Sequence, residues 1–206
     1  MELLSSGASV FSARVRAVIY AKGLPVEIIG APDDPRTTEY LALNPIGKLP
    51  VLVADDGFVL PESDVIVEYL EDRFPSPSLF PADPNARSTA RLIARMTDLY
   101  LMPVLAEIFN RQAHYRGDEE SIAAIRQDTD GALGLLASFL GSSGLAVGDI
   151  LSTADCALYP ALLLARHLWR SIDDGDILTA HPRLLNYVLT CEQNEILSRI
   201  KQEFEA

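Results

Sequence analysis

The stretch from Leu43 to Phe74, LNPIGKLPVLVADDGFVLPESDVIVEYLEDRF, sets a connector, two strands, a tight turn and a helix one after another. Asn44-Pro45 and Ile46-Gly47 are turn dipeptides. Leu49 to Ala54 is a mostly apolar run of strand length. Asp55-Asp56-Gly57 is hairpin chemistry, because Asp and Gly tolerate the positive φ such turns need. Phe58 to Leu60 returns as the partner strand. Ser63 is then placed to cap a helix in which Ile66, Val67 and Leu70 recur at helical spacing.

Two positions in this stretch look chemical. Pro50 opens a strand, where proline removes a ladder donor and is tolerated at an edge or a special bend. The free backbone edge it leaves can pair with an extended peptide. Glu62-Ser63 stands where a strand turns into a helix, and the unpaired N–H groups and positive dipole end of a helix start suit a carboxylate. Taken alone, the same residues also fit an ordinary edge proline and an ordinary N-cap.

Upstream, Glu2 to Ser5 reads as a strand and Ser6 to Ser9 as a small polar loop. Phe11 to Lys22 reads as a helix, with Gly23 as its stop and Pro25 beyond. Val26 to Ile29 is the next strand, and strand, helix and strand make a βαβ unit. The following ββα completes a thioredoxin-like half. Asp33 to Tyr40 is polar, a loop with a short helix leading to Asn44.

Phe74-Pro75-Ser76-Pro77, Pro81 and Pro84 end the third helix and read as a linker to about Asn85. From Ala86 the chain reads as helices. Arg87, Arg91 and Arg95 share one helix face, a solvated or interfacial stripe. Asp98, Leu99, Tyr100 and Met102 are candidates for a second-substrate pocket. Gly117 and Asp118 start a helix running to about Leu140. Ser152-x-x-Asp155 is a capping box before a helix apolar almost all round, which should be buried. Leu184 to Phe204 reads as one helix. His114, His167 and His181 are surface or core residues, and Trp169 is core. The domains expected are 1–76, thioredoxin-like, and 86–206, all-helical: an α/β domain followed by an all-α one.

Composition narrows the function. A net charge of −12 over 206 residues argues against nucleic acid, which needs a basic footprint, and against an anionic membrane surface. It leaves room for a small anionic ligand held by a local positive field. No apolar run approaches the ~20 residues of a membrane span. The start, MELLSSGASVF, lacks the pattern of a secretory signal. Cys156 and Cys191 form no metal or redox motif, so no metal is expected, and a reduced, cytoplasmic chain is the simpler reading. The three histidines all lie from 114 onward, with no Ser–His–Asp arrangement.

NP-x-GK-L-P-V-L, then ES at a helix head, then EYL resembles the glutathione transferase superfamily. The resemblance implies a cis proline at Pro50, with the backbone of Leu49 pairing with the cysteinyl part of glutathione. It implies that Glu62 and Ser63 hold the γ-glutamyl end, with Phe11 a further glutathione contact; Lys48, beside the Leu49 edge, fits a ligand contact or a solvated lysine. ELLSSGASVFSARVRAVIYAKGL is similar to the serine- and cysteine-type classes. Aligned on Arg14-Val15-Arg16, Ser9 falls on the position that meets the glutathione sulfur, with Ser12, Ser5 and Ser6 as alternatives. No tyrosine or cysteine stands in that strand or loop. Glutathione is then a co-substrate, bound between the two domains. The other partner is a small hydrophobic electrophile, the role detoxification, and the expected assembly a homodimer packed along the helix after Ala86.

The implied mechanism rests on charge. A free thiol has a pKa near 8.5, so little is thiolate at neutral pH. A hydroxyl donating to the thiolate contributes about 1.5–3 kcal/mol, enough to lower the pKa by roughly one to two units. The adjacent helix start adds about 0.3–1 kcal/mol. Serine here stabilises an anion and is not itself the nucleophile. Rival readings are a glutathione-dependent isomerase, whose Ser-Ser-Cys and Trp-Arg loop is absent here, a dehalogenase or ether-cleaving enzyme, and a non-catalytic binding or regulatory protein on the same fold.

Overall fold

The computed structural model describes residues 1–32, 34–115, 118–142 and 144–206, with side chains except those of 112–114. Asp33, Gly117 and the side chain of His114 therefore lie outside the described residues. The chain divides into two compact units, one of residues 1–79 with 195–206, the other of residues 80–194.

The first unit is built on a four-stranded sheet: β1 (Glu2–Ser5), β2 (Glu27–Gly30), β3 (Val51–Val53) and β4 (Val59–Pro61), in the order β2-β1-β3-β4. β1 runs parallel to β2 and antiparallel to β3, with Leu3 opposite both Ile28 and Leu52. The hairpin pairs Leu52 with Leu60. β3 is shorter than the run from Leu49 to Ala54 because pairing begins after Pro50, which has no N–H to give the ladder. Helices α1 (Val10–Lys22) and α3 (Ser63–Arg73) pack together, and Leu3, Leu52, Val15, Val18, Ile66 and Leu70 form the core. α1 ends at Gly23, whose φ of 61° lets its N–H reach the Ile19 and Tyr20 carbonyls. α2 (Thr38–Leu43) is the short helix expected before Asn44.

One buried ion pair braces this unit. Lys22 Nζ lies 2.7 Å from Glu71 Oε1 and also donates to the Pro77 carbonyl. Glu71 in turn accepts from Ser78 Oγ and the Leu79 N–H. A buried charge is tolerable when paired and hydrogen-bonded in this way.

The second unit holds α4 (Pro84–Met96), a π-helical turn (Thr97–Leu101), α5 (Met102–Tyr115), α6 (Glu119–Phe139), α7 (Thr153–Trp169), a 3₁₀ turn (Ile177–Ala180) and α8 (Pro182–Cys191). Pro103, just past the π turn, has no N–H for the regular ladder, which accounts for the widening. α7 is buried on nearly every side, as its all-round apolarity predicts, and Trp169 is core. Arg87 donates to the Pro81 carbonyl and Arg91 stacks 4.5 Å from the Phe80 ring centroid. Cys156 and Cys191 are buried free thiols.

The tail departs from the sequence expectation of one helix over 184–204. Glu192 to Asn194 form a turn, with Gln193 and Asn194 donating to the Thr190 and Cys191 carbonyls, and α9 (Glu195–Glu205) is separate. Two cores divide this segment: α8 buries Leu184 and Val188 in the second unit, while α9 groups with the first, against α1.

Candidate functional site

Four serines stand in and beside the loop between β1 and α1: Ser5 ends β1, Ser6 and Ser9 lie in the loop, and Ser12 is in the first turn of α1. Ser9 is the N-cap of α1, its φ of −82° and ψ of 117° extended, and its Oγ accepts from the Ser12 N–H at 3.2 Å. That bond uses an acceptor lone pair and leaves the O–H to donate. Ser9 is half-buried. Ser12 is fully buried and its Oγ accepts from the Ser6 N–H. Ser5 is buried and its Oγ accepts from Arg16 at 2.7 Å.

The second element is the head of α3. Ser63 was expected to cap this helix, but Glu62 occupies the N-cap position and Ser63 is the first helical residue. The reason is the backbone: Glu62 sits at φ 70°, ψ 111°, which ends β4 one residue before the helix, and its side chain makes no capping bond. A positive φ at a non-glycine residue costs roughly 1–3 kcal/mol and persists where the surroundings impose it. α3 thus begins without a side-chain cap of its own, with an exposed Glu62 beside a buried Ser63.

The third element is the edge before β3. The Leu49–Pro50 peptide is cis. Among the described residues, the Leu49 N–H and C=O find no hydrogen-bond partner. The connector is fixed from below: the Lys48 carbonyl accepts from Tyr40 O–H at 2.7 Å and from Asn44 Nδ2 at 2.8 Å, and Asn44 Oδ1 takes the Ile46 N–H. Gly47 takes φ 67°, and a Cβ there would stand 3.1 Å from Leu41 Cδ2. Lys48 itself is exposed, and no carboxylate pairs with it among the described residues.

These elements converge. Phe11, Lys48, Leu49, Pro50, Glu62 and Ser63 line one pocket of the first unit, together with Asn44, Ile46 and Pro61. Its volume of about 90 Å³ is too small to engulf a ligand of ordinary size, so a peptide would lie across it as along a groove. Ser9 does not line the pocket; it stands two residues before Phe11 at the α1 head.

Sequence reasoning missed the residues that hold this geometry. Asn44-Pro45 reads as a turn dipeptide, yet Asn44 is buried and bonds at both ends of its amide. Arg14 and Arg16 carry the likeness to the serine- and cysteine-type classes, and both are buried. Arg14 lies 5.8 Å from the Phe11 ring centroid and 3.9 Å from Asp64, so it brings positive charge beside the α3 head. The available signal was two arginines in the otherwise apolar run ARVRAVI, since a charge inside a buried helix needs partners. Among the described residues, no group of three or more His, Cys, Asp or Glu is clustered to hold a metal, and no helix is long and apolar enough to cross a membrane.

A βαβ-ββα sheet unit with a cis proline just ahead of its inner strand β3, joined in one chain to a helical unit, defines the glutathione transferase fold. The profile of the glutathione S-transferase N-terminal domain matches residues 3–78 and that of the C-terminal domain residues 119–189. The chain belongs to the glutathione S-transferase family. It is similar to maleylacetoacetate isomerase of Pseudomonas aeruginosa, with 33% identity covering 88% of this chain and 92% of that protein. It is also similar to a stringent starvation protein A homolog of Haemophilus ducreyi, with 30% identity covering 79% of this chain and 73% of that protein. Among solved structures, a glutathione S-transferase of Methylobacterium radiotolerans in complex with glutathione sulfonate superposes with a TM-score of 0.79 at 26% identity, covering 96% of this chain and 92% of that one.

Proposed function

We propose that the chain is a glutathione-dependent enzyme in which bound glutathione, as its thiolate, attacks a small hydrophobic electrophile. One observation carries the reading: a single groove joins an α3 head with no side-chain cap, a free backbone edge at Leu49 and an exposed Lys48. In this reading the Leu49 N–H and C=O pair with the cysteinyl residue. Ser63 and the α3 N–H groups take the γ-glutamyl carboxylate, and Glu62 takes the α-amino group. Lys48 and Phe11 flank the tripeptide. Ser9 donates its O–H to the sulfur; Ser5 and Ser12 are each buried whereas Ser9 is half-buried, which supports Ser9 over them.

In conjugation the sulfur lone pair forms a C–S bond and the leaving group departs with its bonding pair. A second reading is favoured by the isomerase relative. There the thiolate adds to a conjugated C=C, the charge moves onto the carbonyl, the former double bond rotates, and expulsion of the thiolate restores it. Both share the stabilised thiolate. Exposed Phe58 and Val65 on the first unit support a homodimer. The two buried free thiols, Cys156 and Cys191, fit a reduced, cytoplasmic chain, and a detoxifying role goes with the electrophile chemistry.

The test is ultraviolet titration of the thiolate with saturating glutathione, on the wild type and Ser9→Ala, with affinity from calorimetry. The proposal expects a bound thiol pKa at least one unit below that of free glutathione, restored by Ser9→Ala. Binding with an unshifted thiol would remove Ser9 from its role. Absence of binding would leave the non-catalytic reading. Turnover of an aryl halide against cis–trans conversion of an enedione then separates conjugation from isomerisation.

A further inference from the structure

We propose that Glu203, on the last helix of the chain, is a positioning residue for Ser9 and acts through Arg16. This rests on the reading of Ser9 given above. Arg16 is buried, and four of the five N–H donors of its guanidinium go to two places. Toward the β1–α1 loop, Nη1 donates to Ser5 Oγ at 2.7 Å and to the Ser6 carbonyl at 2.8 Å, and Nη2 donates to the Gly7 carbonyl at 3.1 Å. Toward α9, Nε donates to Glu203 Oε2 at 2.8 Å. The other Glu203 oxygen accepts from Tyr20 O–H at 2.8 Å and from Arg199 Nε at 3.1 Å.

The Ser6 carbonyl is the link to Ser9. It accepts from the Ser9 N–H at 3.3 Å as well as from Arg16. The Ser6 N–H bonds Ser12 Oγ, and the Ser12 N–H bonds Ser9 Oγ. The loop from residue 5 to Ser9 therefore hangs on Arg16, and Arg16 keeps its place because a carboxylate compensates its charge. Without Glu203 a buried guanidinium is left uncompensated, a strongly unfavourable state that it relieves by moving toward water. Movement of Arg16 frees the Ser6 carbonyl and with it the Ser9 backbone. Small misplacements of a positioned group cost large factors in rate, up to ~100-fold for about 1 Å.

The chemistry needs a carboxylate at this place. An apolar residue would pack α9 on α1 equally well, but would not hold a guanidinium under the loop. Glu203 lies 187 positions from Arg16 in the chain, so the contact exists only in the folded unit. The Gly7 Cα also faces the backbone of Glu203: a Cβ there would be 3.5 Å from its carbonyl oxygen, an ordinary contact that places α9 directly against the loop.

The experiment is the thiolate titration of the full chain with glutathione, extended to Glu203→Ala, Arg16→Lys, their combination, Ser9→Ala and Tyr20→Phe, each first checked for folding by circular dichroism. Tyr20→Phe removes a Glu203 bond and loosens α9 without touching the Arg16 grip. Glu203→Gln replaces Glu203→Ala if the alanine variant does not fold. The proposal expects Glu203→Ala and Arg16→Lys each to raise the bound thiol pKa by about one unit, a tenfold loss of thiolate at neutral pH. It expects the combination to go no further, glutathione affinity to stay within about threefold, and Tyr20→Phe to leave the thiol where it is. The inference is overturned if Glu203→Ala leaves the thiol unshifted, if Tyr20→Phe shifts it as much, or if the two variants add. If the wild type itself shows no lowered thiol, or Ser9→Ala does not raise it, the reading of Ser9 falls and the inference falls with it. A lowered wild-type thiol that responds to Ser9→Ala but not to Glu203→Ala removes the inference alone.

Discussion

The heads of α3 and α7 use the same residue types to opposite ends. At α7, Ser152 is the N-cap and Asp155 is buried, its carboxylate accepting from the Ser152 N–H and Oγ, the Ala146 N–H and Tyr187 O–H. All four donors lie within the second unit. At α3, the acidic residue is the N-cap itself, sits at a positive φ, makes no capping bond, and is exposed beside a buried serine. A helix start closed by its own capping box holds a fold together. One left uncapped at a strained residue has capacity for a ligand, and the strain must be maintained by its surroundings.

This contrast can be broken in order of effect. Asp155→Ala leaves buried donors unsatisfied and removes a cap, so the urea midpoint should fall by the equivalent of about 3–4 kcal/mol. Glutathione affinity, measured on samples still folded, should not change. Ser63→Ala should do the reverse: calorimetric affinity for glutathione weaker by about tenfold to a hundredfold, corresponding to a lost bond to a charged group, with thermal stability nearly unmoved. Glu62→Gly should raise stability by about 1 kcal/mol, as the strain at positive φ exceeds the extra chain entropy of glycine, while weakening glutathione. A loss of stability in that variant would show that no strain is stored at the α3 head.

The smallest effect is a pH dependence within the first unit. Burial, and then the Glu203 carboxylate, push the Tyr20 hydroxyl from an ordinary value near 10 up to about 12. The fold therefore favours the protonated phenol. That contribution is fully present below pH 10 and is lost as the pH rises toward 12. Melting temperatures of the wild type should fall across this window more steeply than those of Tyr20→Phe.

Legibility in the sequence followed chain distance. The capping box of α7, the hairpin turn and the Gly23 stop are local, and each was visible from adjacent residues. Of the pocket residues, Pro50, Glu62 and Ser63 were visible from strand-start and helix-start chemistry, whereas Leu49 and Phe11 came with the family resemblance. The N-cap shift from Ser63 to Glu62 was not, because propensity does not report a positive φ imposed by tertiary packing. The support of the Lys48 carbonyl by Tyr40 and Asn44, and the Arg16–Glu203 pair, were equally invisible. These are contacts made by folding, and the break before α9 follows from which core each half of the tail serves.

The most direct test of this contrast is a nuclear magnetic resonance titration of the backbone amides with glutathione. Binding at the α3 head predicts that the amides of Leu49, Ser63 and Asp64 move with a common dissociation constant, while those of Ala146 and Ser152 stay in place. Unmoved amides at the α3 head, with binding reported from residues elsewhere, would contradict it.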